Sequence, residues 1–136
     1  MARIIGIDYG TKKCGVSATD SMQIIVSAID TFPTTELFQY LKKYISQEDV
    51  EKIVFGKPVH KDGTSTYLQE HIDIFVNKLL KEFPDLIFDY QDERMTSIEA
   101  KSIILQSGIR KSKRRDKNLV DKISAVLILQ KYLGHI

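Results

Sequence analysis

Three short apolar segments at the start of the chain, separated by only a few residues each, constrain the fold more than any other feature. They span residues 4–7, 15–18 and 23–29. Connections this short join neighbouring antiparallel strands, because parallel neighbours need a crossover of a dozen or more residues. We therefore predict that the fold begins with a three-stranded antiparallel meander.

Helices and strands alternate along the middle of the chain. Apolar side chains recur at helical spacing over residues 37–45 and again over residues 68–80, where a capping-box sequence precedes them. Each of these predicted helices is followed by a short apolar strand, at residues 52–56 and 86–90. Strands that are joined through helices in this way are expected to lie parallel.

The helix boundaries carry their own signals. Thr34 or Thr35 can cap the first helix, and a capping box at residues 96–99 opens a short helix that Gly108 can end. A last helix is predicted from residue 118 to about residue 132. This order of elements predicts an α/β fold with a mixed five-stranded sheet flanked by helices.

Carboxylates follow two of the strands that should be parallel. Asp8 ends the first strand, and Asp92 and Glu93 come directly after the fifth. Ligands of such sheets gather at the carboxyl ends of the parallel strands, so these side chains should meet at one edge. Each also has a simpler interpretation: Asp8 as a turn residue that accepts a bond from a nearby backbone amide, and the other two as loop acids beside Arg94.

Asp121 lies near the start of the last predicted helix, three residues after the candidate cap Asn118. An acid is favoured there by the helix dipole, which is a purely structural explanation. However, Ala125, Ile128 and Tyr132 follow it on the same helical face, and that apolar stripe should face the sheet. We therefore expect Asp121 to point inward.

Convergence of Asp8, Glu93 and Asp121 would place like charges together. At about 5 Å, each pair would repel by roughly 3 kcal/mol at an effective dielectric near 20. A divalent cation reverses the sign of that energy, and Mg²⁺ and Mn²⁺ prefer carboxylate oxygens. Such a site suits phosphoryl transfer by an activated water, without a covalent enzyme intermediate.

The basic residues are concentrated in one run, RKSKRRDK, at residues 110–117. Six basic residues and one acid give it a charge of +5, whereas the whole chain carries +2. A solvated loop and a phosphate-contacting patch explain the charge pattern about equally well. Its position directly before the helix of Asp121 favours the second interpretation.

The remaining composition excludes several classes of protein. No apolar run approaches the roughly 18 residues of a membrane span, and the first residues lack the apolar core of a signal peptide. One cysteine, Cys14, and three scattered histidines provide neither a disulfide nor a zinc cluster. We expect one cytoplasmic domain over residues 1–136, without a membrane partner, in which Cys14 is a small strand residue rather than a nucleophile.

Four segments, GIDYGTKKCGVSATD, GKPVHKDGT, DERMTS and DKISAVLILQKYL, together resemble the YqgF/RuvX family of Holliday junction resolvases and pre-16S ribosomal RNA nucleases. The resemblance spans nearly the whole chain. It implies an RNase H-like fold with strand order 3-2-1-4-5, strand 2 antiparallel to the rest, and cleavage of nucleic acid that depends on Mg²⁺ or Mn²⁺. The family's acidic positions fall on Asp8, Glu93 and Asp121, as catalytic residues and metal ligands.

The chain departs from the family pattern in two motifs. Gly56-Lys57-Pro58 stands where the family has Gly-Leu-Pro, and Ser124-Ala125 stands where it has Ala-Ala. Strand four also ends without an acid, so the second carboxylate of the site has to come from the loop after strand five. Glu93 is the assigned residue, and Asp92 is the alternative.

The resemblance and the sequence together predict a nuclease that acts in 5′-end processing of pre-16S ribosomal RNA. A Holliday junction resolvase is the first alternative, and a non-catalytic RNA-binding assembly factor is the second. The Asp-x-Gly-Thr turn after Ile7 also resembles actin and sugar-kinase ATPases, but those enzymes need two such domains. We expect a monomer or a weak homodimer.

The candidate contacts to nucleic acid lie in the turns around the acids and in the basic run. Tyr9 is a candidate for stacking on a base. The candidates for phosphate contact are Lys12, Thr64, Arg94, Arg110, Lys111, Lys113, Arg114 and Arg115.

Overall fold

The structure, a computed structural model, describes residues 2–57, 67–92, 102–103 and 117–135. Five strands and three helices lie within these residues. The strands are β1 (Arg3–Asp8), β2 (Lys13–Thr19), β3 (Val26–Pro33), β4 (Val50–Lys57) and β5 (Ile87–Asp92), and the helices are α1 (Thr34–Gln47), α2 (Tyr67–Glu82) and α3 (Lys117–Tyr132). The predicted short helix after residue 96 falls outside the described residues, except for residues 102 and 103, which are helical.

The strands form one mixed sheet in the order β3-β2-β1-β4-β5. β2 pairs antiparallel with both β1 and β3, whereas β4 pairs parallel with β1 and with β5. The predicted strand order and the antiparallel orientation of strand 2 are therefore confirmed. The carboxyl ends of β1, β4 and β5 lie at the same edge, because Ile7 is level with Phe55, and Gly56 with Gln91.

Successive side chains of β1 point to opposite faces of the sheet and belong to two separate hydrophobic cores. Ile5 and Ile7 are fully buried against side chains of α1 and α2, including Leu41 and Leu79. Ile4 points to the other face, where it packs with Ile128 and Leu129 of α3 and with Val54 of β4. Helices thus cover both faces of the sheet, α1 and α2 on one and α3 on the other.

Small residues let α3 approach the sheet closely. A Cβ added to Gly6 would lie 2.5 Å from Cγ of Leu129 and 3.0 Å from the carbonyl oxygen of Ala125. The Ser17 hydroxyl, which is buried, donates to that same carbonyl over 2.7 Å. Ala125 and Ile128 are fully buried, which confirms the predicted inward stripe of this helix.

The third strand differs from its prediction, because it begins at Val26 rather than residue 23. Asp20 organises the preceding residues as a turn, accepting bonds from the amides of Ile24 and Ile25 at its Oδ1. Gln23 has a positive φ of 59°, which is incompatible with an extended strand. The apolar residues that suggested a strand are exposed side chains of this turn.

Among the described helices, none combines the length and the apolar character that crossing a membrane requires.

Candidate acidic site

Asp8 lies at the carboxyl end of β1, directly opposite Gly15 of β2 in the antiparallel register. Opposed residues of an antiparallel pair share one face of the sheet. Ile4, Gly6 and Asp8 are alternate residues of β1, so they lie on the same face of the sheet. That face is the one covered by α3, because Ile4 and Gly6 both lie against it. Asp8 is partly buried at this position.

The backbone of Asp121 rests on Gly15. A Cβ added to Gly15 would lie 2.0 Å from the carbonyl oxygen of Asp121 and 3.1 Å from the amide nitrogen of Lys122. Only a glycine allows this approach, because real Cβ contacts are longer. Gly15 is thus a common neighbour of Asp8 and of the Asp121 backbone, and Asp121, like Asp8, is partly buried.

The thiol of Cys14 is buried in the core on the face of the sheet that α1 and α2 cover. Burial raises the pKa of Cys14 to about 11, and the negative charges of Asp8 and Asp121 act in the same direction. The thiol donates to the carbonyl of Gly10 over 3.6 Å and lies 3.4 Å from the hydroxyl of Thr34. At neutral pH it is protonated, so it is neither a nucleophile nor a soft metal ligand. The expectation of a small strand residue at this position is confirmed.

Thr34 holds the turn between β1 and β2. Its amide donates to the carbonyl of Lys12 over 2.9 Å, and its hydroxyl donates to the carbonyl of Gly10 over 2.7 Å. Neither candidate cap of α1 acts as predicted, because Pro33 occupies the N-cap position without a side-chain bond. The Thr34 hydroxyl fixes the chain beside Asp8, while the side chain of Lys12 is exposed.

The suggestion that Tyr9 stacks on a base is wrong. Tyr9 is only 8% exposed and its ring lies 5.6 Å from that of Phe75 and 6.4 Å from that of Phe55. Alternation after Asp8 directs this side chain into the core of α1 and α2, on the opposite face from the acids. Tyr9 therefore fastens the end of β1 rather than binding a ligand.

The donor set at this edge fits a hard cation. Both described acids offer carboxylate oxygens, and the neighbouring sulfur is protonated. No group of three histidine, cysteine, aspartate or glutamate side chains is assembled within the described ranges. Glu93, the third expected ligand, lies outside them, and the side chain of Asp92 is likewise not described.

Most of the predicted phosphate contacts also fall outside the described residues. Lys12 is the one predicted contact that the structure describes. The others, which remain predictions, are Thr64, Arg94, Arg110, Lys111, Lys113, Arg114 and Arg115.

Two residues of the site escaped sequence reasoning. Gly15 was assigned only to a strand, although a glycine inside a strand can indicate a close backbone approach. Thr34 gave no such local signal, because its partners lie more than twenty residues earlier in the chain.

Comparison with known proteins places the whole chain in one family. The family model for RuvX, described as Holliday junction resolvase, matches residues 2–135. A protein of Bacteroides fragilis is 43% identical over 98% of this chain and 96% of its own length. A protein of Porphyromonas gingivalis is 45% identical over 99% of this chain and 98% of its own length. Both carry the name "putative pre-16S rRNA nuclease".

A solved structure supports the fold independently. RuvC of T. thermophilus, determined in complex with a Holliday junction substrate, matches 98% of this chain and 97% of its own with a TM-score of 0.53. The two sequences are 12% identical, so the likeness concerns the fold alone. It confirms the RNase H-like architecture expected from the sequence.

Proposed function

This chain belongs to the RuvX family, and on that basis we propose that it is a metal-dependent nuclease that hydrolyses phosphodiester bonds in the precursor of 16S ribosomal RNA. The names of its relatives supply the substrate. Processing of that precursor is cytoplasmic, so the location expected from the sequence belongs to the same proposal.

The observation that carries the proposal is that Asp8 and the backbone of Asp121 are both direct neighbours of Gly15. These acids are more than a hundred residues apart in sequence and come from a strand end and a helix start. Two carboxylates brought to one place repel each other, and a cation between them reverses the sign of that energy. An arrangement of this kind is typical of a site that binds cations.

Asp8 and Asp121 would hold the ion, with Glu93 as the third ligand. β4 separates β1 from β5, so the ends of those two strands are about 9 to 10 Å apart, a gap that favours the longer glutamate side chain. Alternate residues of a strand share one face of the sheet. The carboxylate of Asp89 accepts a bond from Tyr132 of α3, so continued alternation would favour position 93 over position 92 for the α3 face. We therefore prefer Glu93 to Asp92.

A divalent ion bound there would activate a water and stabilise the leaving oxygen. The chain's own residues position the nucleic acid. Lys12, which is exposed in the turn after Asp8, is proposed to contact a phosphate oxygen, as are Arg94 and Thr64. The run at residues 110–117 leads directly into α3, which begins at Lys117. Its charges are therefore connected to the N-terminal end of the helix that carries Asp121.

A second candidate is resolution of Holliday junctions, which the description of the family model favours. Such a reaction would require two sites acting together, hence a dimer. A non-catalytic assembly factor is the third possibility, and the meeting of the two acids argues against it, since RNA binding alone needs no such pair.

The test compares cleavage of labelled precursor RNA and of a four-way DNA junction with Mg²⁺ or Mn²⁺. We expect wild-type protein to cleave the RNA and Asp8→Asn to lose at least about 10²-fold in rate, because the amide keeps the shape but not the charge. Asp49→Asn, at the far end of the sheet, is the matched control and should keep full activity.

Each other outcome selects a different function. Cleavage of the junction but not of the RNA would identify a resolvase. Binding of RNA without cleavage by the wild type would identify an assembly factor. Equal rates for wild type and Asp8→Asn would exclude the acidic site from the reaction.

A further inference from the structure

The turn between β2 and β3 presents three large apolar side chains to solvent. Met22, Ile24 and Ile25 are 57%, 59% and 62% exposed. Isolated exposed apolar residues are ordinary, and Ile74 on α2 is one. Three within four positions form a patch, and patches of this kind mark interaction sites.

The turn is held rigidly by hydrogen bonds. Oδ1 of Asp20 accepts from the amides of Ile24 and Ile25 over 2.7 and 3.1 Å, and the amide of Asp20 donates to the carbonyl of Ile25. The side-chain amide of Gln23 donates to the carbonyl of Ala2 over 2.9 Å and to the carboxylate of Glu51. The apolar side chains are therefore presented in a fixed arrangement, which lowers the entropy lost on docking.

Two carboxylates, those of Asp20 and Glu51, are bonded directly to the turn that carries this patch. Asp20, Glu48, Asp49 and Glu51 lie in the segments that the hydrogen bonds tie to it, and Arg3 is the one cation within that bonded group. Arg3 is already engaged, by Glu48 at 3.4 Å and by the carbonyl of Thr19 at 3.1 Å. Among the residues bonded to the turn, acids thus outnumber bases.

This surface lies at the end of the sheet away from the acidic site. Asp8 opposes Gly15 near the start of β2, whereas the turn follows Thr19 at the end of β2, beside the start of β1. The excess of acids over bases there disfavours a phosphate backbone. A single nucleic acid contact at the acidic site therefore leaves this surface available to another partner.

We propose that the hairpin surface, formed by Met22, Ile24 and Ile25 with the surrounding carboxylates, docks a protein segment that combines apolar side chains with lysine or arginine. Such a segment matches both the apolar patch and its charge. A second copy of this chain fits less well, because its basic run RKSKRRDK contains no apolar residue to pack on the patch.

The choice of partner rests on the proposed function. A nuclease for precursor ribosomal RNA meets that RNA together with the basic proteins bound to it. We infer that the hairpin surface binds proteins of the small-subunit precursor particle while the acidic site faces the RNA.

The test measures binding of wild-type protein to three probes: purified precursor particles, the same RNA stripped of protein, and the RNA-free protein fraction of those particles. The variant replaces Met22, Ile24 and Ile25 by serine, and Ile74→Ser is the matched control. We expect the triple variant to lose about tenfold or more in affinity for particles and for the protein fraction. Its binding to stripped RNA, and all binding by Ile74→Ser, should not change.

Asp49→Lys extends the test to charge, and we expect it to weaken binding to the protein fraction without affecting the stripped RNA. The proposal is overturned if the triple variant binds all three probes as wild type does, or loses stripped RNA equally. It is also overturned if wild type self-associates and the triple variant does not. Cleavage of stripped RNA is recorded separately, so failure of the proposed nuclease function is distinguishable from failure of docking.

Discussion

Gly15 of β2 supports the backbone of Asp121 with no side chain between them, at a distance where a Cβ would be 2.0 Å from the Asp121 carbonyl oxygen. Gly15 is also the register partner of Asp8. One glycine thereby sets the height of α3 above the sheet and the separation of two acids.

Gly15→Ala should therefore impair the site through the position of α3. We expect a loss of about 1–3 kcal/mol in the free energy of unfolding, because the helix must shift to admit a methyl group, and a fall in cleavage rate of about tenfold or more. Gly6→Ala is the matched control, since its Cβ would meet the same helix at Leu129, further from Asp121. Denaturant unfolding and cleavage rates measured side by side give the comparison, and equal activity losses in the two variants would contradict this role for Gly15.

Asp121→Asn should abolish stabilisation by the metal ion. An ion at 100 times its dissociation constant stabilises the folded state by about 2.7 kcal/mol, which for a domain of this size corresponds to a Tm increase of several degrees. We expect wild type to show that increase with Mg²⁺ or Mn²⁺ and the variant to show none. Asp49→Asn should keep the metal response, and an undiminished response in Asp121→Asn would rule that acid out as a ligand.

Salt dependence tests the basic run. If five of its side chains contact phosphates, the logarithm of affinity should fall with the logarithm of salt concentration at a slope of about −3.5 on single strands, or about −4.5 on B-form duplex. Replacement of Arg110, Lys111, Lys113, Arg114 and Arg115 by alanine should flatten that slope. A control that replaces Lys42, Lys43, Lys78 and Lys81 on α1 and α2 should leave it unchanged. Identical slopes for wild type and the first variant would remove the run from the interface.

Thr34→Val removes the hydroxyl that donates to the Gly10 carbonyl and keeps the side-chain shape. We expect a loss of about 1 kcal/mol in stability and a several-fold lower cleavage rate, because the turn beside Asp8 loses an anchor. Thr34→Ser retains the hydroxyl and should retain the rate. Hydrogen exchange of the turn amides, faster in the valine variant alone, would locate the effect, and a normal cleavage rate in Thr34→Val would show that the anchor is not needed.

The turn that carries the exposed apolar residues should be sensitive to acid. The backbone amides of Ile25 and Ile24 hold the pKa of Asp20 below its ordinary value of 3.8. A lowered folded-state pKa stabilises the fold above the unfolded value, and that contribution is lost as the pH falls through the folded value. The stability difference between wild type and Asp20→Ala should therefore be constant near neutral pH and shrink below 3.8.

Asp20→Asn is the control for that titration, because its amide oxygen still accepts the two bonds but carries no titrating charge. Relative to Asp20→Ala, it should show no such loss in acid. Unfolding by denaturant at several pH values measures both variants, and a difference that persists unchanged below the folded pKa would assign the effect of Asp20 to packing alone.

The antiparallel start of the sheet and the inward stripe of α3 could be predicted because each rests on a local pattern, whereas the strand order followed from the resemblance to the family. Period-two and period-3.6 repeats identify buried faces, and the apolar stripe of Ala125 and Ile128 directed Asp121 toward the sheet. Tyr9 was misassigned although the same rule applies to it. Alternation from Ile5 through Ile7 leads to a buried side chain at position 9, and proximity in sequence to Asp8 suggested a ligand contact instead.

Other features could not be predicted because they depend on contacts between distant parts of the chain. The anchoring of Gly10 and Lys12 by Thr34 requires β3 to deliver the start of α1 beside the first turn. Ile24 and Ile25 suggested a strand because hydrophobicity alone does not distinguish burial from exposed apolar surface. The bonds from Asp20 decide that local conformation.

The place of α3 at the end of the element order has a consequence for synthesis. Asp121 is made well over a hundred residues after Asp8, and at 5 to 20 residues per second roughly 6 to 23 seconds separate them. During that interval α3 does not yet exist, so nothing packs against Gly15 of β2. A nascent chain therefore cannot assemble the pair of acids before Asp121 has been made, and under the proposed function a chain that stops short of α3 cuts no RNA.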